Sequence, residues 1–480
     1  MELCSLLDAQ RTYFQSGATK PLAARQQALL ALRRTVALHQ DDIAHALFLD
    51  LGKSKSEAYL TETGLVLQEL SFLLRRLPSL AAPKRVKTPP ALFPARSQVM
   101  RVPFGVTLIL SPWNYPFLLT LQPLASALAA GNTAILKPSA YAPASSALLA
   151  RLIEQTFDSR LAAVVQGGRE QNAALLEQAY DMIFFTGGET VGRLVLEKAA
   201  QHLTPTVLEL GGKSPVYVDK SADLPLAARR IVFGKLLCAP DYVLAHRSIK
   251  ARLMTLLERE FERQTGGSPF PSGYPRIVND RHARRLAGLL EGQRVVYGGL
   301  WEGLRLSPTL VDEPDPASPL MQEEIFGPVL PVLSCEGERE ALDFISSRPA
   351  PLAFYLFSQD SGQVARMTAA LRFGGGCVND TVMHLVSPSL PFGGVGASGM
   401  GSYHGAAGFE AFVVGGAMRD GVRGVQPKDW DLATNATPEQ AAAVFTGRHI
   451  IETGLRHGTV TVRCAGRSVE VTTFRTDGTY

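Results

Sequence analysis

Between residues 106 and 210 the chain alternates short, β-rich apolar runs with helical stretches at the spacing of βαβ units. The runs at 106–110, 133–136, 161–165, 182–185 and 206–210 predict strands with helices between them. Consecutive strands can run parallel only through such crossovers, so the pattern predicts an α/β fold built on a doubly wound parallel sheet. Sheets of this kind bind ligands at the carboxyl ends of their strands. Ahead of it, Leu29, Leu32, Val36, Ile43 and Leu47 recur at helical steps and predict packed helices over 21–80. Residues 78–94, rich in Pro and Lys, read as a connector.

Composition matters here mainly for what it excludes. A net charge of +4 on 480 residues gives no general electrostatic case for nucleic-acid or membrane-surface binding. No run reaches the roughly 18 apolar residues of a membrane span, and the best, 123–136, is interrupted by Gly131-Asn132. The N-terminus lacks a basic region before an apolar one, so no secretory signal is expected. Cys4, Cys238, Cys335, Cys377 and Cys464 are scattered and odd in number. That suits free thiols in a reducing compartment, and a cytoplasmic protein is the expectation.

The chemistry-bearing motifs fall at strand ends. Leu208-Glu-Leu-Gly-Gly-Lys-Ser-Pro215 carries Glu209, and Gly234-Lys-Leu-Leu-Cys-Ala-Pro-Asp-Tyr242 carries Cys238. A thiol and a carboxylate are the groups needed to trap an aldehyde covalently and release it as an acid with water. On residue type alone, a carboxylate before Gly-Gly is a strand end and a lone Cys is inert core. Ser111-Pro-Trp-Asn-Tyr-Pro-Phe117, Leu136-Lys-Pro-Ser139 and Phe184-Phe-Thr-Gly-Gly-Glu-Thr-Val-Gly192 follow other strands. The last opens a helix, an arrangement in which backbone N–H groups meet a pyrophosphate. Gly52-Lys53-Ser54 lacks the upstream glycine and preceding strand of a phosphate loop. His282 has no second ligand at metal spacing and reads as solvated or capping.

Together with Glu323-Glu-Ile-Phe-Gly-Pro328 and the Gly-rich run 374–412, these motifs resemble the class 3 branch of the aldehyde dehydrogenase superfamily over roughly residues 5–412. The resemblance implies oxidation of an aldehyde to a carboxylic acid with NAD or NADP, through a Cys thiohemiacetal and thioester. It makes Cys238 the nucleophile, Glu209 the general base and Asn114 a donor to the oxyanion. It assigns Trp113, Lys137, Gly187, Gly188, Gly192, Glu324 and Phe326 to the cofactor: Lys137 to the adenosine ribose, Glu324 to the nicotinamide ribose, Phe326 to the ring. The implied domains are 1–208 (N-terminal helices and dinucleotide binding), 209–380 (catalytic) and 381–412 (a return to the bridging and cofactor region). A homodimer is implied, although the basic strand that helps close the class 3 dimer is missing.

Two departures from the family bear on function. The Asn-x-Gly-Gln-x-Cys-Val run is absent and the chain passes directly to Cys238-Ala-Pro-Asp-Tyr242, about six residues or up to ~20 Å of extended chain shorter. Either Cys238 is the family nucleophile on a shortened loop, or it replaces an apolar neighbour of a lost one. The second alternative implies an impaired enzyme that still binds dinucleotide. Cys377, where the family varies, ranks below Cys238 as nucleophile. The other departure is Ala140, which replaces the family's acidic residue after Lys-Pro-Ser and removes a reason to prefer NAD over NADP.

Beyond 412 the resemblance changes. Phe412-Val-Val-Gly-Gly-Ala-Met-Arg-Asp420, Pro427-Lys-Asp-Trp-Asp-Leu-Ala-Thr434 and residues 469–480 resemble the start of a tRNA nucleotidyltransferase head domain, as in CCA-adding enzymes and bacterial poly(A) polymerases. This implies that Asp429, Asp431 and Glu470 ligate Mg²⁺ and that tRNA is a partner. The head domain's remaining strands are missing, and 413–480 alone makes a marginal unit.

Overall fold

A computed structural model describes residues 3–90, 95–237, 240–419, 429–434, 440, 443–445, 449–451, 459–464 and 467–473. From 416 onward, side chains are described only at 440, 443–445, 450, 461, 462 and 471. The chain forms two compact units, Met1–Ala81 with Val102–Val414 and Ala82–Arg101 with Gly415–Tyr480.

In the first unit the predicted N-terminal helices are Leu22–Leu38, Gln40–Leu51 and Gly64–Ala81. Leu29, Leu32, Val36, Ile43, Leu47, Val66, Leu70 and Leu73 form one buried cluster with the helix Leu118–Ala130. That last helix carries no charged residue and is buried from Leu119 to Ala130, so packing on all sides specifies it. It stops at Gly131, whose φ of 96° lies in the left-handed region that glycine adopts without strain. One expectation shifts: the helix runs through Pro78 to Ala81. Pro78 removes one backbone bond to the preceding turn, and buried Leu77 and Leu80 hold the last turn in place against the core.

All five predicted strands are present, as Val106–Leu110, Thr133–Lys137, Ala162–Val164, Met182–Gly187 and Thr206–Leu210. They pair in parallel, and Gly399–Met400 adds an antiparallel edge against Leu208 and Glu209. Every residue of Val106–Leu110 and Thr133–Lys137 is buried, as a sheet covered on both faces requires. From Val106–Leu110 the order runs one way to Thr133–Lys137 and Ala162–Val164, and the other way to Met182–Gly187 and Thr206–Leu210. The order therefore reverses beside Val106–Leu110, which opens a crevice at the carboxyl ends there.

A seven-stranded sheet follows in the order Val295–Tyr297, Thr309–Asp312, Val329–Cys335, Tyr242–His246, Pro215–Val218, Ala353–Phe357 and Gly375–Val378. Only the first of these is antiparallel to its neighbour. Helices Leu224–Leu236 and Arg247–Gln264 pack on it through Ile231, Val232, Leu253, Leu257 and Phe261.

The second unit holds a four-stranded sheet in the order Asp429–Thr434, Arg467–Thr473, Thr459–Cys464 and His449–Ile451, its first pair parallel and the others antiparallel.

Candidate active site

The loop after Val106–Leu110 carries Trp113, Asn114 and Tyr115 into the crevice where the strand order reverses. The side-chain oxygen of Asn114 is buried with no hydrogen-bond partner; it is an acceptor, so any donation to an anion falls to the amide N–H₂ of the same group. Its backbone carbonyl accepts from Lys53 Nζ at 2.8 Å. Next along the chain, the Tyr115 hydroxyl donates to the carbonyl of Leu237 at 2.8 Å. Cys238 and Ala239 lie outside the described residues, but both flanks of this pair are held. On the far side, buried Lys235 donates from Nζ to the carbonyl of Pro240 at 3.0 Å. Leu237, the last described residue before Cys238, is thus tied to the loop bearing Asn114. Cys377, by contrast, sits in the strand Gly375–Val378 with Sγ 3.4 Å from His384 Nδ1. Burial pushes that thiol up and pushes His384 down to about 4, so the pair is held neutral rather than as thiolate and imidazolium.

Glu209 lies on the strand next to the edge of the six-stranded sheet, in register with Thr186 on one side and Gly399 on the other. Burial pushes its carboxyl up to about 7, opposed by the neighbouring Thr186 hydroxyl and by that of Tyr403, which donates to Oε2 at 3.4 Å. A carboxylate with that value can take and release a proton near neutral pH. Glu324 is held against the backbone of the same Leu-Glu-Leu-Gly-Gly turn: a Cβ on Gly211 would stand 2.0 Å from its Oε2. Burial, then the charge of Asp241, pushes Glu324 up to about 7 as well, and the charge of Glu209 adds to the effect.

A buried ion pair joins the three catalytic motifs. Lys213 Nζ donates to Asp241 Oδ2 at 2.5 Å and to the carbonyls of Leu320 and Glu323 at 2.8 Å each. Asp241 Oδ1 accepts from the N–H of Ile325 at 3.0 Å. The pair therefore bonds the backbone on both sides of Glu324. Residue types alone did not mark Lys213 or Asp241 as functional, although both stand inside quoted motifs.

The remaining candidates occupy strand ends. Lys137 closes its strand almost fully buried, with Nζ donating to the carbonyl of Pro138 at 2.8 Å, and burial pushes it down to about 8. Gly188 caps the helix Glu189–Gln201, and nothing stands within 4 Å of where its Cβ would be. Gly187 carries the turn, with the Phe185 ring in the place of a Cβ. Gly192 is buried against Leu210, 2.5 Å from a Cβ position, so its lack of a side chain lets this helix lie close on the sheet. Phe326 meets Trp113 edge-on with ring centroids 5.2 Å apart. His282 lies tilted against Trp113, ring centroids 5.6 Å apart; it is half-exposed, and its side chain is not the helix cap, which is Asn279, accepting from the His282 N–H. An open helix N-terminus, a buried ammonium and an aromatic pair fit a dinucleotide's phosphates, ribose and ring.

Among the described residues no group of three or more His, Cys, Asp or Glu could hold a metal ion. The side chains of Asp429, Asp431 and Glu470 lie outside the described residues, although Asp431 and Glu470 are register partners on adjacent parallel strands.

Fold and site define an α/β oxidoreductase that uses a dinucleotide. The chain belongs to the aldehyde dehydrogenase family, whose profile matches residues 4–414. It is an NAD(P)-dependent enzyme that oxidises an aldehyde. It is 44% identical over 413 residues to 4,4'-diaponeurosporen-aldehyde dehydrogenase of Staphylococcus aureus, which spans 84% of this chain and 90% of that protein. It is 41% identical over 420 residues to a dog protein, "Aldehyde dehydrogenase, dimeric NADP-preferring", covering 86% of this chain and 93% of that one. The structure titled "Substrate bound state of Staphylococcus Aureus AldH" superposes with a TM-score of 0.86 at 41% identity, over 89% of this chain and 96% of that one. A profile of the Poly A polymerase head domain matches residues 411–480. No helix among the described residues is long and apolar enough to cross a membrane.

Proposed function

We propose that Cys238 is the nucleophile and that the substrate is an apolar aldehyde, aromatic or of medium chain length. The observation that carries this is the Tyr115–Leu237 hydrogen bond, which ties the residue before Cys238 to the loop of Asn114. Leu236, Leu237, Cys377 and Leu385 pack on the core beside that segment and offer an apolar wall. The Staphylococcus relative is likewise named for an aldehyde.

In this scheme the Cys238 thiolate adds to the carbonyl carbon, and the Asn114 side-chain amide and a backbone N–H stabilise the oxyanion. The dinucleotide, when bound, supplies the hydride acceptor, and loss of hydride from the thiohemiacetal leaves a thioester. Glu209 then takes a proton from water as its oxygen attacks the thioester carbon, and the thiolate departs as the acid forms. Gly187 and Gly188 offer backbone N–H groups to the pyrophosphate, with Gly192 seating the helix behind them. Lys137 holds the adenosine ribose and Glu324 the nicotinamide ribose, while Phe326 and Trp113 wall the ring. Residues 1–208 serve as the dinucleotide unit, 209–380 as the catalytic unit and 381–412 as the return. NADP is accepted as well as NAD, in keeping with Ala140 and with the name of the dog relative. That name also supports a homodimer, and the scattered cysteines support a cytoplasmic location. The test is NAD(P)H formation from an aromatic or medium-chain aldehyde. Cys238→Ala should abolish it, and undiminished turnover would overturn the assignment.

A second reading concerns residues 413–480 alone, as a partial nucleotidyltransferase head with Asp429, Asp431 and Glu470 around Mg²⁺. The match to residues 411–480 and the pairing of Asp431 with Glu470 favour it. Incorporation of labelled CTP or ATP into tRNA would reveal that activity, and its absence with Mg²⁺ present would dismiss it.

A further inference from the structure

The Gly52-Lys53-Ser54 run, which is no phosphate loop, ends in a buried ion pair far from the chemistry in sequence and next to it in space. Lys53 Nζ lies 2.7 Å from Glu62 Oε1, with side-chain exposures of 6% and 0%. The ammonium also donates to the carbonyl of Asn114 at 2.8 Å and stands over the Tyr115 ring, 4.2 Å from its centroid. The other oxygen of Glu62 accepts from the N–H groups of Phe117 and Leu118 at 2.8 and 3.0 Å. The pair therefore grips the loop from Asn114 to Leu118 at three points along its backbone and at one ring. It leaves the Asn114 side-chain oxygen without a partner.

Local sequence explains how Glu62 reaches so far inward. Tyr59–Thr63 forms a π-helical turn, and Gly64 N–H bonds the carbonyl of Tyr59 across it. A Cβ on Gly64 would stand 2.7 Å from that carbonyl, so the glycine admits the wide turn. Such π-turns shift the register of a helix and are frequent at functional sites. Here the shift brings Glu62 to full burial beside the loop. Through Tyr115, whose hydroxyl holds Leu237, the same grip extends to the segment of Cys238.

We propose that Lys53 and Glu62 are positioning residues for the oxidation: they fix the backbone of the loop at Asn114 so that its side-chain amide meets the oxyanion. The proposal rests on the oxyanion role of Asn114. Misplacement of such a group by about 1 Å can cost ~10² in rate. Lys53→Met should therefore lower kcat about 10- to 100-fold while the KM and Kd for the dinucleotide stay within about twofold, because the cofactor's strand ends are untouched.

A double-mutant cycle separates positioning from general destabilisation. In the Asn114→Ala background Lys53→Met should cost less than about threefold more, because the group it positions is already gone. Glu62→Gln, which keeps the side-chain shape, should show the same non-additive pattern and serves where Lys53→Met fails to fold, as read by its melting temperature and dinucleotide binding. Equal losses in the two backgrounds would overturn the proposal, as would normal turnover in a folded Lys53→Met or Glu62→Gln protein when Asn114→Ala is slow. Normal turnover in Asn114→Ala alone would instead overturn the oxyanion assignment, and the brace with it.

Discussion

Glu209 stands at the balance point for a general base: burial holds its carboxyl up at about 7, and the neighbouring Thr186 and Tyr403 hydroxyls oppose that. The base works ionised, so the sign is fixed. Thioester hydrolysis should fall about tenfold per pH unit below roughly 7 and level off above it. Glu209→Gln should lose about 10²–10⁴ in that step and the inflection with it. A single-turnover pH profile that stays flat from 5 to 8 in the unmodified protein would contradict this. A second prediction concerns Ala140, which is exposed just past Lys137. With no acidic group there to repel a 2′-phosphate, kcat/KM for NADP should lie within about a hundredfold of that for NAD. Ala140→Glu should shift the ratio toward NAD, and steady-state kinetics with both cofactors decide it.

At the scale of elements, the strand-end loops act together because an ion pair joins them. Lys213 and Asp241 come from two catalytic motifs and bond the backbone around Glu324 in a third. Asp241→Asn leaves the Lys213 ammonium buried without its counter-charge, with side-chain exposures of 10% and 6% in the native pair. The change should destabilise the protein by about 3–5 kcal/mol and raise the KM for the dinucleotide, both measurable by denaturant melts and kinetics. What could be read beforehand follows the same division. Strand 106–110 was legible to the residue, because a fully buried parallel strand is a short β-rich run with turn residues at each end. Glu209, Asn114 and Glu324 could be named as candidates through motifs. The braces were not. Lys53 and Glu62 meet Asn114 only after the N-terminal helices pack, and no local pattern encodes a contact between residues 53 and 114. Gly192 was marked for the cofactor, whereas its neighbour proves to be Leu210, a packing relation across elements. His282 likewise shows no signal for its place against Trp113.

Across the whole molecule, the compact unit built on the six- and seven-stranded sheets carries every described catalytic and cofactor candidate for the oxidation. The aldehyde dehydrogenase profile ends at residue 414 where the head-domain profile begins at 411, so the change of character after Phe412 was legible as a change of motif. The account turns on one sulfur atom. Alkylation with iodoacetamide, mapped by mass spectrometry with and without dinucleotide and aldehyde, tests it most directly. Cys4 is exposed and should label in either case, whereas buried Cys335, whose thiol burial pushes up to about 12, should stay unlabelled. The account predicts rapid labelling at Cys238 that aldehyde and dinucleotide suppress, together with loss of activity in step with it. Loss of activity that follows labelling of Cys377 while Cys238 stays unmodified would contradict it.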